Sequence, residues 1–463
     1  MAARPNVVVI LSDDHGYADR GACAVDPRVL TPHLDALAAG GVTCTDAYVT
    51  APICSPSRAG LIAGRYQARW GVHWFGDSAF PSAYPSIAER FTELGYATGY
   101  LGKVHYGKED VGDRGCPPHH GFAETFYGLA GQQMGRLNYL HHSEAAVDEY
   151  GPAASWRMAV QPMLDGDEPV ELEGFLTDEL GRRACEFITR HDGEPFFLQL
   201  CFNAVHNFCW QLPAEELRRR GLPGCSDWTG DAEPDYADWY DGVISPNLEH
   251  GREYYLAQLE LMDAQIGNVL GTLERLGLAD DTIVVYLTDN GGSTCNYADN
   301  TPLRGTKYTL WEGGIRVPFL VRWPAGGIAG GRRCDGVVSS MDLYPSLLSA
   351  AGADVSAYAD ADGRDQLELW RGGESAGHGE LHWDVGYAWA VRAGDWKLSH
   401  TDGSSATAQG LRIVEHAEPG DGRRLTDLRN DPGETSDLAD ERPDVVADLL
   451  ARHDAWAADV GAG

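Results

Sequence analysis

The sequence predicts an α/β fold: a large mixed, mostly parallel sheet sandwiched by helices, with a smaller C-terminal α+β domain carrying a short antiparallel sheet. Three observations lead there. Runs of β-branched and aromatic residues of strand length alternate with segments of helical period. Several of these runs are apolar on both faces, as strands covered by helices on either side must be. Past Gly372 the texture changes to short, Trp-rich runs, so the domains are drawn as 1–372 and 373–463.

Taken in order, Asn6–Leu11 reads as the first strand, and Thr31-Pro32 caps a helix that stops at Gly40-Gly41. Cys54-Ser-Pro-Ser-Arg58 runs from a loop into a helix, with Pro56 in the first turn and Ala59, Leu61, Ile62 and Ala63 continuing it. Tyr84-Pro85 opens another helix, whose Ile87, Phe91 and Leu94 face inward before Gly95. Ala97–Leu101, Pro195–Phe202, Thr282–Thr288 and Val317–Arg322 read as further strands, while Asp113 to Gly174 and Ser226 to Pro246 read as long loops. Tyr255, Leu259, Met262, Ile266, Val269 and Leu273 mark a long amphipathic helix ending near Gly277. At the C-terminal end, Leu381–Trp383, Trp389–Arg392 and Trp396–Leu398 predict short antiparallel strands, and Asp444–Trp456 a closing helix.

With 463 residues, 43% of them hydrophobic, the chain has ample material for a large core. Its 36 Lys+Arg against 69 Asp+Glu give a formal charge of −33, which excludes long-range attraction to nucleic acid or an anionic membrane. No window approaches the ~18 apolar residues of a membrane span. The N-terminal stretch carries no export signal, so a cytoplasmic location is expected, or a periplasmic or secreted one if the chain has been trimmed. Ten cysteines without a Cys-x-x-Cys pair predict buried free thiols in a reducing compartment.

Chemistry gathers at strand ends. Cys54 sits at a positive helix end, with Arg58 one turn along the same face, which makes an anion site around a reactive position. Asp13 and Asp14 follow the first strand directly, and Asp289 and Asn290 follow Ile283–Leu287, at the carboxyl ends where open α/β sheets bind ligands. Three carboxylates in one place repel unless a cation joins them, and an all-oxygen set suits calcium or magnesium. Lys103, His105 and His206 also follow strands, and Lys307 lies in a Gly-rich turn. His73 and Trp74, with Phe75, lie just past the Cys54 helix and are expected to line the leaving-group side and stack on a sugar ring. His119, His120, His141 and His142 show no such placement and read as surface or loop residues.

Asp13-Asp14-His-Gly-Tyr17, Thr31-Pro-His-Leu-Asp35, Cys54-Ser-Pro-Ser-Arg58, Gly102-Lys-Val-His105, Thr288-Asp-Asn-Gly-Gly292 and Glu312-Gly-Gly-Ile-Arg-Val-Pro318 together resemble the sulfatase family, in the same chain order. The later Gly394-Asp-Trp-Lys-Leu398 and Asn430-Asp-Pro-Gly-Glu-Thr435 stretches match too. The resemblance implies that Cys54 is oxidised to formylglycine by a formylglycine-generating enzyme. It implies a calcium ion held by Asp13, Asp14, Asp289, Asn290 and the modified Cys54, and Arg58, Lys103, His105, His206 and Lys307 around the sulfate. In that scheme His206, with Lys103, protonates the leaving alcohol and His105 takes the proton that frees sulfate. Val205 stands where the family often has proline.

The expected substrate is a sulfated sugar or aryl sulfate. The alternatives are a phosphonate or phosphate ester hydrolase on the same fold, and a non-catalytic anion-binding homologue that keeps Cys54 as a thiol.

Overall fold

The computed structural model describes residues 4–74, 77–107, 110–128, 163–172, 174–225, 228–230, 247–374, 377–408 and 420–461, with 140, 145 and 148. Phe75, His141, His142 and most of the two expected long loops lie outside the described residues. In chain order the elements begin with β1 (Asn6–Ser12), α1 (Pro32–Gly40), β2 (Val42–Cys44), β3 (Ala47–Tyr48), α2 (Cys54–Ala63), α3 (Ile87–Glu93), β4 (Ala97–Lys103) and β5 (Glu124–Gly128). These lead to β6 (Met163–Asp165), β7 (Glu168–Val170), α4 (Leu176–Arg190), β8 (Phe196–Cys201), α5 (Ala214–Arg220), α6 (Gly251–Arg275) and β9 (Thr282–Thr288). Then come α7 (Glu312–Ile315), β10 (Phe319–Arg322), β11 (Arg332–Cys334), β12 (Val338–Ser339), α8 (Leu343–Ala350) and α9 (Leu367–Trp370).

Among the described residues the main sheet has ten strands in the order β11-β2-β10-β9-β1-β8-β4-β5-β6-β7. β1 lies between β8 and β9, parallel to both, and all seven of its residues are buried. Its alternation assigns the two faces: Val8 and Ile10 pack with Leu180 of α4 and Met262 of α6, while Val7, Val9 and Leu11 pack with Ile62 of α2, Phe91 of α3 and Leu347 of α8. Each such side chain contributes ~1.5–3 kcal/mol of burial, which is why a run apolar on both faces belongs at the centre.

The fold class expected from sequence is what the structure shows, with corrections at particular elements. β10 runs antiparallel to β9, Phe319 opposite Leu287, because the chain re-enters the sheet from the same carboxyl edge after the one-turn α7 rather than through a crossover helix. β5 lies within the stretch expected to be loop and pairs in parallel with β4. Helix α3 is capped by Ser86 in a capping box with Glu89, not opened by Tyr84-Pro85. His120 is a core residue rather than a surface one: it is fully buried, its ring nitrogens meet Tyr106 Oη at 3.1 Å and the Arg114 carbonyl at 2.9 Å, and burial pushes its pKa down to about 3. No helix among the described residues is long and apolar enough to cross a membrane.

The second sheet is antiparallel, β13 (Glu380–Asp384), β14 (Ala388–Ala393), β15 (Trp396–Thr401) and β16 (Gly422–Asp427), followed by the helix α11 (Pro443–Val460) after the short α10 (Gly403–Ala408). It is joined to the first by a buried ion cluster built from three of the sequence stretches quoted above. Lys397 Nζ lies 3.0 Å from Glu312 Oε1 and 3.0 Å from Glu434 Oε1, and Glu434 Oε2 accepts the Glu312 N–H at 2.6 Å. Burial would raise the Glu312 carboxyl, but Lys397, Arg316 and Arg392 hold it at about 2. Burial drives Glu434 up to about 7 against the pull of Lys397, with Glu312 adding to the rise.

Removing one partner of a buried ion pair costs about 3 kcal/mol or more. Lys397→Met should therefore lower the unfolding free energy by that amount, read as a lower urea midpoint at unchanged m. Glu434 has a folded pKa of about 7 against an ordinary 4.5, so its stabilising contribution is present in full below pH 4.5 and lost as pH rises toward 7. Urea unfolding at stepped pH should show Glu434→Gln flattening that decline.

Candidate functional site

Four strand ends, one helix start and one loop meet at the carboxyl edge of the main sheet. Asp13 and Asp14 leave β1, Lys103 ends β4, His206 follows β8, and Asp289 and Asn290 follow β9. Cys54 opens α2, and Lys307 is carried on the loop into α7, pinned by its N–H to the Gly292 carbonyl at 3.1 Å. Asp14, His105 and Tyr308 all hold left-handed backbone, at φ 55°, 57° and 69°, costing about 1–2 kcal/mol each. Gly102 has φ 108°, and a Cβ there would stand 1.8 Å from the Cys201 carbonyl oxygen, so only glycine lets β4 present Lys103 in this register.

The structure brings the sequence-predicted charges together. Arg58 Nε lies 2.7 Å from Asp289 Oδ2 and its Nη2 3.5 Å from Asp13 Oδ2, while Nη1 donates to the Lys103 carbonyl at 3.0 Å. Lys103 Nζ lies 2.5 Å from Asp13 Oδ2, and Lys307 Nζ 2.9 Å from Asp14 Oδ2. Cys54 Sγ is 3.4 Å from Asp13 Oδ1 and 3.9 Å from Asp14 Oδ1. Three carboxylates thus face three cations, all at most 2% exposed.

The titration behaviour follows from this balance. Burial, reinforced by Asp289, raises Asp13 to about 6, and burial likewise raises Asp14. For Asp289 the effect of burial is outweighed by Arg58, Lys103 and Lys307, which hold it below the usual carboxylate range. Burial, then Asp13 and Asp289, push the Cys54 thiol well up. Burial, with Lys307, Lys103, His105 and Arg58, keeps His206 neutral, and Lys307 Nζ lies 3.1 Å from its Nε2.

The residues present fit a hard cation. Asn290 donates its amide N–H to Asp14 Oδ1 at 2.6 Å and to the Gly291 carbonyl at 2.9 Å, which leaves Oδ1 buried without a hydrogen bond. A neutral oxygen orphaned beside three carboxylates is a ligand for calcium or magnesium rather than for a soft metal. The ligand atoms that lie within 4.8 Å of one another are those of Asp13, Asp14, Cys54 and His206. Asp289 lies outside that group; its Oδ2 is engaged by Arg58, and its Oδ1 accepts the Asp14 N–H at 3.4 Å, which ties it to the same knot. His206 suits the cation less well, since Nε2 already meets the Lys307 ammonium.

His73 and Trp74 border the site rather than enter the charge cluster. His73 Nδ1 lies 3.5 Å from Asp384 Oδ1 of the second sheet, and the Trp74 ring packs against Tyr308 at 5.6 Å and Tyr387 at 5.3 Å. Sequence reasoning missed Asn296, whose side-chain N–H groups reach the Asp14 carbonyl at 3.1 Å and the Val205 carbonyl at 2.6 Å, clamping the His206 loop to the Asp13-Asp14 loop. It also missed Asp384 and Tyr387, the latter donating its hydroxyl to the Tyr308 carbonyl. No local pattern signals these three, because each acts across a gap of dozens of residues or more. The Ala204–Val205 peptide is cis.

Comparison with known proteins adds an independent line. Residues 5–353 match the model of the sulfatase family. The chain is 31% identical to arylsulfatase A of Bos taurus, covering 97% of this chain and 86% of that protein, and 29% identical to steryl-sulfatase of Mus musculus, covering 98% and 81%. Among solved structures, Ps i-CgsB in complex with k-i-k-neocarrahexaose superposes with a TM-score of 0.78 at 26% identity, covering 98% of this chain and 93% of that one.

Proposed function

This chain belongs to the sulfatase family of sulfuric ester hydrolases, and we propose that it removes a terminal sulfate from a small carbohydrate, using a formylglycine made from Cys54 and a bound calcium ion, with aryl sulfates as surrogate substrates. The observation that carries this reading is the buried set of three carboxylates and three cations converging on Cys54. Asp13, Asp14, Asp289 and Asn290 would hold the cation. When bound, that ion supplies positive charge to activate a nucleophile, and the formylglycine supplies the hydrated aldehyde from which the nucleophile is drawn.

Arg58, Lys103 and Lys307 offset charge on the sulfate oxygens where it grows at the transition state. Arg58 is oriented for this by Asp289 and Asp13, which fix the guanidinium plane against the Lys103 carbonyl. His206 stands beside Lys307 and is suited to protonate the leaving alcohol, since an incoming sulfate adds negative charge that counters the cations keeping its ring neutral. His105 is close enough to act electrostatically on His206 and takes the proton in the second half of the reaction. The half-buried Trp74 ring, backed by the buried Tyr308 and Tyr387, is the aromatic face that would meet a sugar, and the similar Ps i-CgsB is known in complex with a neocarrahexaose.

Mass spectrometry of the Cys54 peptide from active protein should show the side-chain sulfur replaced by an aldehyde oxygen. Unmodified cysteine in fully active enzyme refutes the reading, and turnover of an aryl phosphonate well above that of an aryl sulfate replaces it with an ester hydrolase of another class.

Calcium at about a hundred times its Kd should stabilise metal-stripped protein by about 2.7 kcal/mol, read by urea unfolding with and without the ion. Asp289→Ala should remove that gain.

His206→Ala should cost ~10²–10⁴-fold in kcat/KM on a sulfated sugar, whose alkoxide leaves poorly unprotonated, and far less on a nitrophenyl sulfate. Arg58→Ala should cost both substrates similarly. Equal losses from His206→Ala on the two substrates would assign that histidine to sulfate binding.

A further inference from the structure

Two cysteines outside the charge cluster form a second chemical pair. Cys44 ends β2 and Cys334 ends β11, the edge strand of the ten-stranded sheet, and the two are register partners in the parallel β2/β11 ladder. Ladder partners project from the same face, and strands in a sheet lie about 4.7–4.9 Å apart, inside the Cα separation of about 4.4–6.8 Å that a disulfide spans. We propose that Cys44 and Cys334 are a peroxide-responsive dithiol that closes to a disulfide and fastens β11 to β2.

The local chemistry divides the roles. The neighbouring Cys44 thiol, helped by the Gly336 N–H and opposed by burial, brings Cys334 down to about 7. The same contact, together with burial, pushes Cys44 well up, so Cys334 is the thiolate and Cys44 the resolving thiol. Cys334 retains 7% exposure against 2% for Cys44, an opening suited to a small oxidant rather than to a bulky disulfide. Both are free thiols here. The Thr45 N–H and hydroxyl donate to the Cys334 carbonyl at 2.9 and 3.2 Å, holding the pair in place before any bond forms.

The reaction balances with hydrogen peroxide as oxidant. The Cys334 thiolate attacks one peroxide oxygen and the O–O bond breaks, giving a sulfenic acid and hydroxide. Cys44 sulfur then attacks Cys334 sulfur, the S–O bond breaks, and the proton from Cys44 leaves with the departing hydroxide as water. Two thiols and one peroxide become one disulfide and two waters. Because the bond closes a very long loop of chain, it restricts the unfolded state and should stabilise the fold.

The test is peptide mapping of native protein after brief treatment with hydrogen peroxide. A peptide pair joined through Cys44 and Cys334 is expected, together with a melting temperature raised by about 4 °C that returns to its starting value on adding dithiothreitol. Cys334→Ala and Cys44→Ala should each abolish the link and the shift while keeping the parent's aryl sulfate turnover, which shows that they fold. Three results overturn the proposal: Cys334 oxidised to sulfinic or sulfonic acid with no link, a link formed only in guanidinium-unfolded protein, or no change at either cysteine.

Discussion

The structure depends on charge closure in a place without water. Asp13, Asp14 and Asp289 could not stand together at the centre of a sheet without Arg58, Lys103 and Lys307, and none of those cations could be buried without the carboxylates. The six groups come from five separate parts of the chain, so the site exists only when β1, α2, β4 and β9 are all in register and the Lys307 loop is seated. The sum of the six is zero. A divalent ion then brings an excess of two positive charges, the condition for drawing one sulfate ester out of water.

The antiparallel sheet takes part in holding this arrangement. Glu312, fixed by Lys397 and Glu434, opens α7, whose Gly313 N–H donates to the Arg304 carbonyl at 2.7 Å, while the Gly291 N–H donates to the Gly314 carbonyl at 3.0 Å. One side of α7 therefore supports the loop that carries Lys307 and the other supports the residue after Asn290. Its glycines are required by the closeness of these contacts: a Cβ on Gly314 would stand 2.0 Å from the Thr309 carbonyl oxygen. The Glu-Gly-Gly-Ile-Arg stretch, which by itself names no catalytic group, is the joint between the two sheets and the site.

Much of this was legible in the sequence because it is local. β1 and β9 announce themselves as runs apolar on both faces, and the polar residues directly after them are placed by the strand ends themselves. Pro56 stands in the first turn of α2, where the linear pattern places it. What was not legible is what chain direction and distant partners decide. The reversal of β10 depends on where the chain re-enters the sheet, and β5 is too short and too closely followed by glycine for its period to stand out. His120 looked like a loop histidine because its burial comes from Phe80, Tyr106 and Phe122. Asn296, Asp384 and Tyr387 are unremarkable until folding sets them beside Asp14, His73 and Tyr308.

The neutral, buried pocket lies under a surface whose formal charge is strongly negative, −33 over the whole chain. An approaching sulfate ester is repelled at long range and attracted only within the last few ångströms, where the buried cations are no longer masked by the acidic exterior. Encounter and capture therefore answer differently to ionic strength. Added salt shortens the Debye length to about 8 Å at 0.15 M, which softens the exterior repulsion while leaving the buried cations nearly untouched. Such an enzyme meets its substrates fastest in brine, and gains in association rate where most enzymes acting on anions lose it.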